Sequence, residues 1–285
     1  MRVAISTPKQ ISIKARHLQF QFTDKIPQYW FGNDPVLTHF LNVLSITFPE
    51  GERFFLDSVR TFRDKVDDPQ RQKDISGFIG QEAFHSKEHA AYNQFLANQG
   101  YQKLVAKTER VSSKLLKGGR LRLSPREQLA ITAALEHITA ILAKSLLEHP
   151  KYLNMIDENI RPLWLWHAIE ETEHKAVAYD LYQDISNHKM HEKNTVMLLG
   201  TAYLIMFSGY FTWQFLKQDG VFKKQPWRII RGYWRLLGYN GLLMPAIKEY
   251  FNYYKKDFHP WQDDNSRFLN NAYQLLAQAI DLKAN

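Results

Sequence analysis

The sequence contains no cysteine among its 285 residues. This absence excludes disulfide bonds, thiolate metal ligands and cysteine nucleophiles, and it fits a protein of the reducing cytoplasm. Strand patterns are scarce as well, since only HLQFQF at 17–22 alternates like a short strand. The N-terminal residues 1–16 lack the apolar core of a secretory signal, so we expect a cytoplasmic protein, with any membrane association at the inner face.

Acidic residues are outnumbered by basic ones, 29 to 37, which gives a formal charge of +8 and a pI near 9.4. Such a balance favours an anionic partner, either nucleic acid or a membrane surface. Apolar residues make up 45% of the chain and charged residues 23%. This composition is typical of a folded protein with a large core and one or two domains.

Helix start and stop signals divide the chain. Asp34-Pro35 and Asp68-Pro69 each combine an N-cap residue with proline at the first helical position, and Ser124–Glu127 forms a capping box. Gly100 is a helix stop. The basic stretch 101–123 contains two adjacent glycines and predicts a linker with some helix. We expect helices over 35–48, 49–66, 69–100, 125–149, 162–186 and 265–281.

These signals predict an all-α protein, a four-helix bundle with additional C-terminal helices. Residues 1–33 would form an irregular N-terminal segment. Residues 34–190 would form the bundle, and residues 191–285 would add apolar and basic amphipathic helices packed on it.

Two Glu-x-x-His motifs lie on otherwise apolar helix faces. They are Glu82–His85 and Glu171–His174. Residues three apart on a helix share a face at roughly 5–6 Å, which suits two ligands of one metal site. Ionisable groups on a core-facing stripe are costly to bury unless they are paired or bind a metal.

Each motif is preceded by a helix with one inward glutamate. Glu52 precedes Glu82 by 30 residues, and Glu136 precedes Glu171 by 35. Glu52 is the preferred ligand on its helix because it shares a face with apolar residues, and Glu50 is the alternative ligand. The face of Glu136 is lined by small side chains that leave room for a ligand, namely Thr132, Ala133, Thr139, Ala140 and Ala143. The chain therefore predicts two helical hairpins, each of which supplies Glu and then Glu-x-x-His.

One glutamate from each of two helices and one Glu-x-x-His from each of two others is the ligand set of ferritin-like di-iron and di-manganese proteins. We therefore expect the all-α bundle to be a ferritin-like four-helix bundle with additional C-terminal helices. Carboxylates bridge and neutralise two cations, and each imidazole adds a neutral ligand. We expect two metal ions, iron with manganese as the alternative, and O₂ as co-substrate. The predicted ligands and catalytic residues are Glu52, Glu82, His85, Glu136, Glu171 and His174.

Further polar residues flank the predicted ligands. His89 and His167 each lie one turn from a ligand, so each is a candidate extra ligand, partner of a ligand, proton shuttle or buried core histidine. Asp180 is a candidate hydrogen-bond partner for a ligand histidine. Residues predicted to face solvent or a neighbouring helix instead are Glu170, Glu173 and His137.

Four stretches of the chain resemble a known family. They are Phe48–Phe55, Gly80–His89, Trp166–Lys175 and Phe258–Trp261. In combination they resemble the bacterial family of predicted metal-dependent hydrolases, and the likeness covers most of the chain. The resemblance implies hydrolysis but no particular substrate, whereas the ligand pattern is similar to that of di-iron oxidases. The His-Glu-x-x-His motif of zincin hydrolases is absent from the sequence.

The C-terminal third contains 22 residues without a charge, 195–216. This length suffices to span a membrane, but we expect a helix that is buried or lies at the interface. Basic and aromatic residues alternate over 223–235, a pattern typical of membrane surfaces and also found at nucleic acids. We therefore expect peripheral membrane contact through 195–235, no nucleic acid, and an apolar small molecule or lipid as partner. A homodimer is the expected assembly.

The sequence thus favours a non-haem dinuclear metal oxidase or oxygenase that acts with O₂ on an apolar, lipid-like substrate. One alternative is a metal-dependent hydrolase, in which metal-activated water attacks an ester or amide. Another alternative is a non-catalytic metal-binding bundle that stores metal or is stabilised by it.

Overall fold

The computed structural model describes residues 7–8, 10–186 and 189–284, with side chains described up to residue 280. Residues 1–6 and residue 9 of the expected irregular segment therefore lie outside the described residues. The all-α class is confirmed, since the described residues form helices and no β-strand. The helices are α1 (Pro35–Arg60), α2 (Pro69–Leu96), α3 (Gln102–Arg122), α4 (Pro125–Leu147), α5 (Pro150–Met155), α6 (Arg161–His174), α7 (Val177–Ser186), α8 (Met190–Gln218), α9 (Val221–Lys224), α10 (Pro226–Leu237), α11 (Met244–Asn252) and α12 (Ser266–Ala284).

The predicted capping residues begin three of the long helices. The carboxylate of Asp34 accepts from the backbone at the start of α1, and that of Asp68 does so at the start of α2. Ser124 and Glu127 form the capping box of α4. Gly100 has a φ of +96°, a left-handed conformation that favours glycine, in the wide turn Ala97–Tyr101 that joins α2 to α3.

The prediction that Pro49 separates two helices is wrong, because α1 continues through it. Proline lacks the N–H that would bond to the carbonyl four residues earlier, that of Ser45. The Nδ2 of Asn93 on α2 donates to this carbonyl at 3.1 Å. A side chain of the neighbouring helix thus satisfies the group that Pro49 leaves free, and Glu52 stays on the same helix as Ser45.

The prediction of a linker over 101–123 is also wrong, because these residues form α3. One face of α3 is buried and carries Val105, Thr108 and Ser112. Val105 packs in one apolar cluster with Leu96 of α2 and Phe211 of α8. Tertiary packing against α8 stabilises a helix that contains two glycines.

Residues 17–22 form no strand. Their alternation instead places Phe20 against Trp166 (ring centroids 5.4 Å apart) and Phe22 against Tyr92 (5.4 Å). The backbone N–H of Phe20 donates to Oε2 of Glu88 at 3.1 Å. An extended segment can alternate for packing on helices as well as for pairing in a sheet.

Two pairs of helices enclose the core that positions the predicted ligands. α1 packs along α2, and α4 packs against α6 and α7. Contacts of α1 with α4 and of α2 with α6 join the two pairs. The expected single helix over 162–186 is interrupted directly after His174, where α6 ends and α7 follows.

The C-terminal helices surround this core. α12 packs on α6, α11 on α4, and α10 on α1. Two described helices are long and apolar enough to span a membrane, α4 and α8. In α4, 78% of the apolar stretch is buried, as expected for a core helix, whereas in α8 the buried share is 28%. α8 therefore leaves much of its apolar surface uncovered by the described residues.

Candidate metal centre

The six predicted ligands converge in one buried region. Glu52 comes from α1, Glu136 from α4, and each Glu-x-x-His pair from α2 or α6. The Nε2 of His174 lies 3.2 Å from Oε2 of Glu136 and 3.4 Å from Oε1 of Glu82. The Nδ1 of His85 lies 3.6 Å from Oε1 of both Glu82 and Glu171. Four helices thus contribute donor atoms to a single cluster.

The donor atoms form overlapping groups in which every pair lies within 4.8 Å. Glu82 and His85 each belong to two of these groups, so the three groups form one continuous cluster. His167 joins one group, although the six-residue set omitted it. The groups are Glu82, Glu136 and His174; Glu82, His85 and Glu171; and Glu52, His85 and His167.

The donor set fits metal ions because its buried polar atoms lack other partners. Apart from their ion-pair contacts with one another, both oxygens of Glu52, Glu82 and Glu136 have no hydrogen-bond partner among the described residues, and neither does Nε2 of His174. Buried polar groups are almost always hydrogen-bonded, and leaving them unpaired is costly. Cations between these carboxylates would satisfy the unpaired atoms and offset their charge.

Electrostatics within the cluster also favour added positive charge. Burial and the neighbouring carboxylates raise the pKa of Glu52 well above its usual range and the pKa of Glu136 to about 8. Burial opposes ionisation of Glu171, but the charges of His174, His167 and His85 bring its pKa down to about 2. The metal-free cluster therefore holds protons that bound cations would displace.

Gln81 holds His174 in one orientation. The Nε2 of Gln81 donates to Oε2 of Glu173 at 2.7 Å and to the carbonyl of Lys14 at 3.2 Å, which fixes the amide because both partners are acceptors. Its Oε1, 2.9 Å from Nδ1 of His174, must then accept from that nitrogen. Once His174 has released its second proton, its lone pair lies on Nε2, the nitrogen that faces the carboxylates.

Glu170 and Glu173 face neighbouring elements, and neither is solvated. Oε2 of Glu170 lies 3.1 Å from Nε2 of His85, which leaves Nδ1 of that imidazole towards the cluster. Arg16 donates to Oε1 of Glu170 at 3.0 Å and to Glu173 at 2.5 Å and 2.9 Å. The irregular N-terminal segment thus supplies one cation that pairs with two buried carboxylates.

His89 and His167 form a chain of hydrogen bonds that ends at the cluster. Ser45 Oγ donates to Oδ1 of Asn93 at 2.8 Å, so it accepts from Nδ1 of His89, also at 2.8 Å. The Nε2 of His89 must then accept from Nδ1 of His167 at 3.0 Å. This order leaves the lone pair on Nε2 of His167, 3.4 Å from Oε1 of Glu171.

The protonation states of His89 and His167 agree with this order of hydrogen bonds. Burial and the neighbouring histidines lower the pKa of His89 well below its usual range and that of His167 to about 3. Both imidazoles are therefore neutral near pH 7. His167 therefore presents the lone pair of its Nε2 to the cluster, and His89 fixes its orientation.

Three other flanking residues have roles outside the cluster. The interpretation of Asp180 as partner of a ligand histidine is wrong, since its Oδ1 lies 2.9 Å from Nε2 of His259. His137 is buried between helices, with Nε2 3.1 Å from the carbonyl of Glu249. Glu50, the alternative to Glu52, forms an ion pair with Arg53 at 2.6 Å on the partly exposed side of α1.

Sequence reasoning missed Gln81 and Arg16. Gln81 directly precedes Glu82, as Glu170 directly precedes Glu171, and this shared position was the available signal. Arg16 lies in a segment without helical periodicity, so no pattern could place it beside the bundle.

The family model described as "predicted metal-dependent hydrolase" matches residues 14–264, and the chain belongs to this family. The resemblance inferred from the four motifs is thereby confirmed. Among curated proteins and among solved structures, no significant match to the chain is found. Family membership favours the hydrolase alternative over the oxidase that the ligand pattern suggested, and no comparison supports the oxidase.

Proposed function

We propose that this member of the predicted metal-dependent hydrolases uses two metal ions to cleave an ester or amide bond in an apolar substrate. The observation that carries the proposal is the set of buried carboxylate and imidazole atoms that converge without other partners. The residues that would hold the ions are Glu52, Glu82, His85, Glu136, His167, Glu171 and His174.

Bound ions would supply Lewis-acid chemistry, since they polarise a carbonyl group and lower the pKa of water. The protein's own contribution is to orient the donors and to exclude bulk water. Gln81 and His89 each fix which nitrogen of a histidine faces the cluster. Aromatic rings cover the imidazoles. The ring centroid of Phe78 lies 4.9 Å from that of His174, and the ring centroid of Phe48 lies 4.7 Å from that of His167.

The apolar nature of the substrate is inferred from a cavity of about 60 Å³ beside His167. His167 and Thr139 are the polar side chains that line it. Thr139 and Ala143 belong to the small-residue face of α4. The apolar lining residues are Phe40, Leu41, Leu44, Phe48, Leu142, Ala143, Leu146, Trp164, Ala168, Leu242 and Leu243. A hydrocarbon chain held there would lie at the edge of the metal centre.

A second candidate is an oxidoreductase that uses O₂. It is favoured by the donor set itself, four glutamates and two Glu-x-x-His histidines on a helical core, which is the pattern of dinuclear iron proteins. Loaded with iron, such a centre would supply O₂ chemistry. The extra histidine, His167, departs from this pattern.

The two candidates differ in what the loaded protein consumes. The full chain is loaded separately with Zn²⁺, Mn²⁺ and Fe²⁺, and its metal content is counted. Hydrolysis of p-nitrophenyl esters and anilides with short and long acyl chains is then measured, alongside O₂ uptake by the iron form. The proposal expects metal-dependent hydrolysis that improves with chain length, whereas O₂ uptake without hydrolysis would support the second candidate.

Glu52→Gln and Glu50→Gln are the matched variants for this assay, because the two glutamates lie on the same helix and only Glu52 joins the cluster. Glu52→Gln should lose bound metal and most activity, and Glu50→Gln should retain both. If Glu52→Gln kept two ions and full activity, the assignment of the site would be wrong.

A further inference from the structure

The outward face of α10 carries apolar residues that the described chain leaves uncovered. Trp227, Ile230, Trp234 and Leu237 recur every three or four residues and are 77%, 60%, 70% and 57% exposed. Large exposed apolar patches on soluble domains mark interaction surfaces. From this face and its charge we propose that the protein docks on an anionic membrane surface through α9 and α10.

The exposed stripe is distinct from the face by which α10 packs on the protein. Gly232 and Leu236 are buried, and a Cβ added to Gly232 would lie 2.5 Å from Val36 of α1. The close approach of the two helices therefore uses the face opposite to Trp227 and Trp234. α10 is held firmly on one side, so its outward stripe is presented in a fixed position.

The apolar surface continues beyond α10. Phe222 of α9 is 40% exposed, and its ring lies 6.4 Å from that of Trp213 at the end of α8. Tyr210 lies 6.4 Å from Trp213 on the same helix. Tryptophan and tyrosine rings are suited to the boundary between lipid headgroups and hydrocarbon.

The charges around this surface identify a membrane as the occupant. Residues 217–256 contain two carboxylates, Asp219 and Glu249. The Asp219 side chain is 5% exposed and paired with His39 at 2.8 Å, and Glu249 is buried. The basic residues of this segment are Lys217, Lys223, Lys224, Arg228, Arg231, Arg235, Lys248, Lys255 and Lys256. Clustered basic residues next to an apolar helix face bind anionic lipid.

The same charges argue against other occupants. Two copies of this face would bring like charges together without an exposed carboxylate to balance them, which disfavours a dimer through α10. Nucleic acid would stack on aromatic rings, but Ile230 and Leu237 offer no ring for a base. Aliphatic and aromatic side chains together suit acyl chains and headgroups.

The proposed surface lies next to the apolar cavity of the metal centre. Leu242 and Leu243, in the connection between α10 and α11, line that cavity. If the proposed function holds, this neighbourhood would let a membrane-derived substrate reach His167. Docking itself does not depend on the metal centre. An experiment that refutes membrane docking therefore does not refute the proposed function, and the reverse also holds.

The test is flotation of the full chain with vesicles. One set contains equal parts phosphatidylglycerol and phosphatidylcholine, and the other contains phosphatidylcholine alone. We expect binding to the anionic vesicles that weakens at high salt. The double variant Trp227→Ser/Trp234→Ser should bind about tenfold more weakly or worse. The variant Leu121→Ser, at an 87% exposed leucine of α3, is the matched control and should bind like the wild type.

A second variant, Lys223→Glu/Lys224→Glu, tests the charge and should also lower binding to anionic vesicles. Circular dichroism and size-exclusion chromatography establish that each variant is folded. The proposal is overturned if the wild type does not float with anionic vesicles, or if both double variants float as it does. A wild-type dimer that the tryptophan variant converts to a monomer would show that a second copy covers this face.

Discussion

Gln81 and Glu170 occupy equivalent positions in the two helices that carry the Glu-x-x-His motifs, and each contacts the histidine of the other helix. Gln81 precedes Glu82 and accepts from Nδ1 of His174 at 2.9 Å. Glu170 precedes Glu171 and lies 3.1 Å from Nε2 of His85. Each of the two helices thus places a side chain against the histidine of the other, Gln81 through a hydrogen bond and Glu170 as an ion-pair partner. Such partners of ligands usually matter nearly as much as the ligands themselves.

Replacing Gln81 should therefore weaken metal binding although Gln81 is not a ligand. In Gln81→Leu the Nδ1 of His174 loses its acceptor, so the nitrogen that faces Glu136 is no longer fixed. We expect metal affinity to fall about 10–100-fold, measured by competition with a chromophoric chelator. Gln94→Leu is the control, because Gln94 on the same helix is exposed and bonds to Asn98. Equal affinities of the two variants would contradict this role.

The series of hydrogen bonds that runs from Asn93 through Ser45 and His89 to His167 predicts one tautomer for His167. Side-chain ¹H–¹⁵N correlation spectra of the metal-free protein near pH 7 should show His167 neutral, with the proton on Nδ1 and none on Nε2. The resonance is assigned by its loss in His167→Gln. A proton on Nε2 instead would mean that His167 is not prepared to bind a metal, and the extra ligand would be excluded.

Removing His89 should affect the metal position that includes His167. His89→Leu leaves Nδ1 of His167 without its acceptor at 3.0 Å, whereas Glu82, Glu136 and His174 are untouched. We expect one of two ions to bind about 10–100-fold more weakly, resolved as two separate steps in a titration with Co²⁺ followed by its visible absorption. An equal weakening of both steps would point to a general loss of packing.

The pattern of the sequence predicts the ligand helices well but not the groups that support the ligands. Glu52, Glu82, Glu136 and Glu171 could be found because helical periodicity places each on an apolar face. Arg16 could not be found, since its role depends on how a segment without periodicity crosses the bundle, and the only signal for Gln81 was its position directly before Glu82. Pro49 misled for a related reason, because the donor that replaces its missing N–H belongs to another helix.

The metal-free protein should lose stability between pH 6.5 and 8. The pKa of Glu136 is raised from 4.5 to about 8, and the pKa values of His85 and His174 are raised well above 6.5 by the surrounding carboxylates. The folded state then holds more protons than the unfolded state, so its stability falls as the pH rises. His89 and His167, whose pKa values are lowered, oppose this trend only below pH 6.5.

Bound metal should reverse this dependence, because the ligands must release their protons to bind it. We expect the difference in Tm between the metal-loaded and metal-free forms to widen from pH 6.5 to 8, measured by calorimetry. The side chain introduced by Glu136→Gln cannot titrate, so the stability of the metal-free variant should fall less steeply with pH than that of the wild type. A difference in Tm that does not change with pH would argue against proton release from the cluster.

The contact between Asn93 and Ser45 should be coupled to Pro49. In Asn93→Ala the buried carbonyl of Ser45 loses its donor, so we expect a loss of about 1–3 kcal/mol in the free energy of unfolding, measured with denaturant. In Pro49→Ala the backbone regains an N–H for the same carbonyl. The cost of Asn93→Ala should then be smaller in the Pro49→Ala background, with a coupling of about 0.5–3 kcal/mol in the double-mutant cycle. Equal costs in both backgrounds would show that Asn93 does not compensate for the proline, and that the helix tolerates Pro49 through its packing alone.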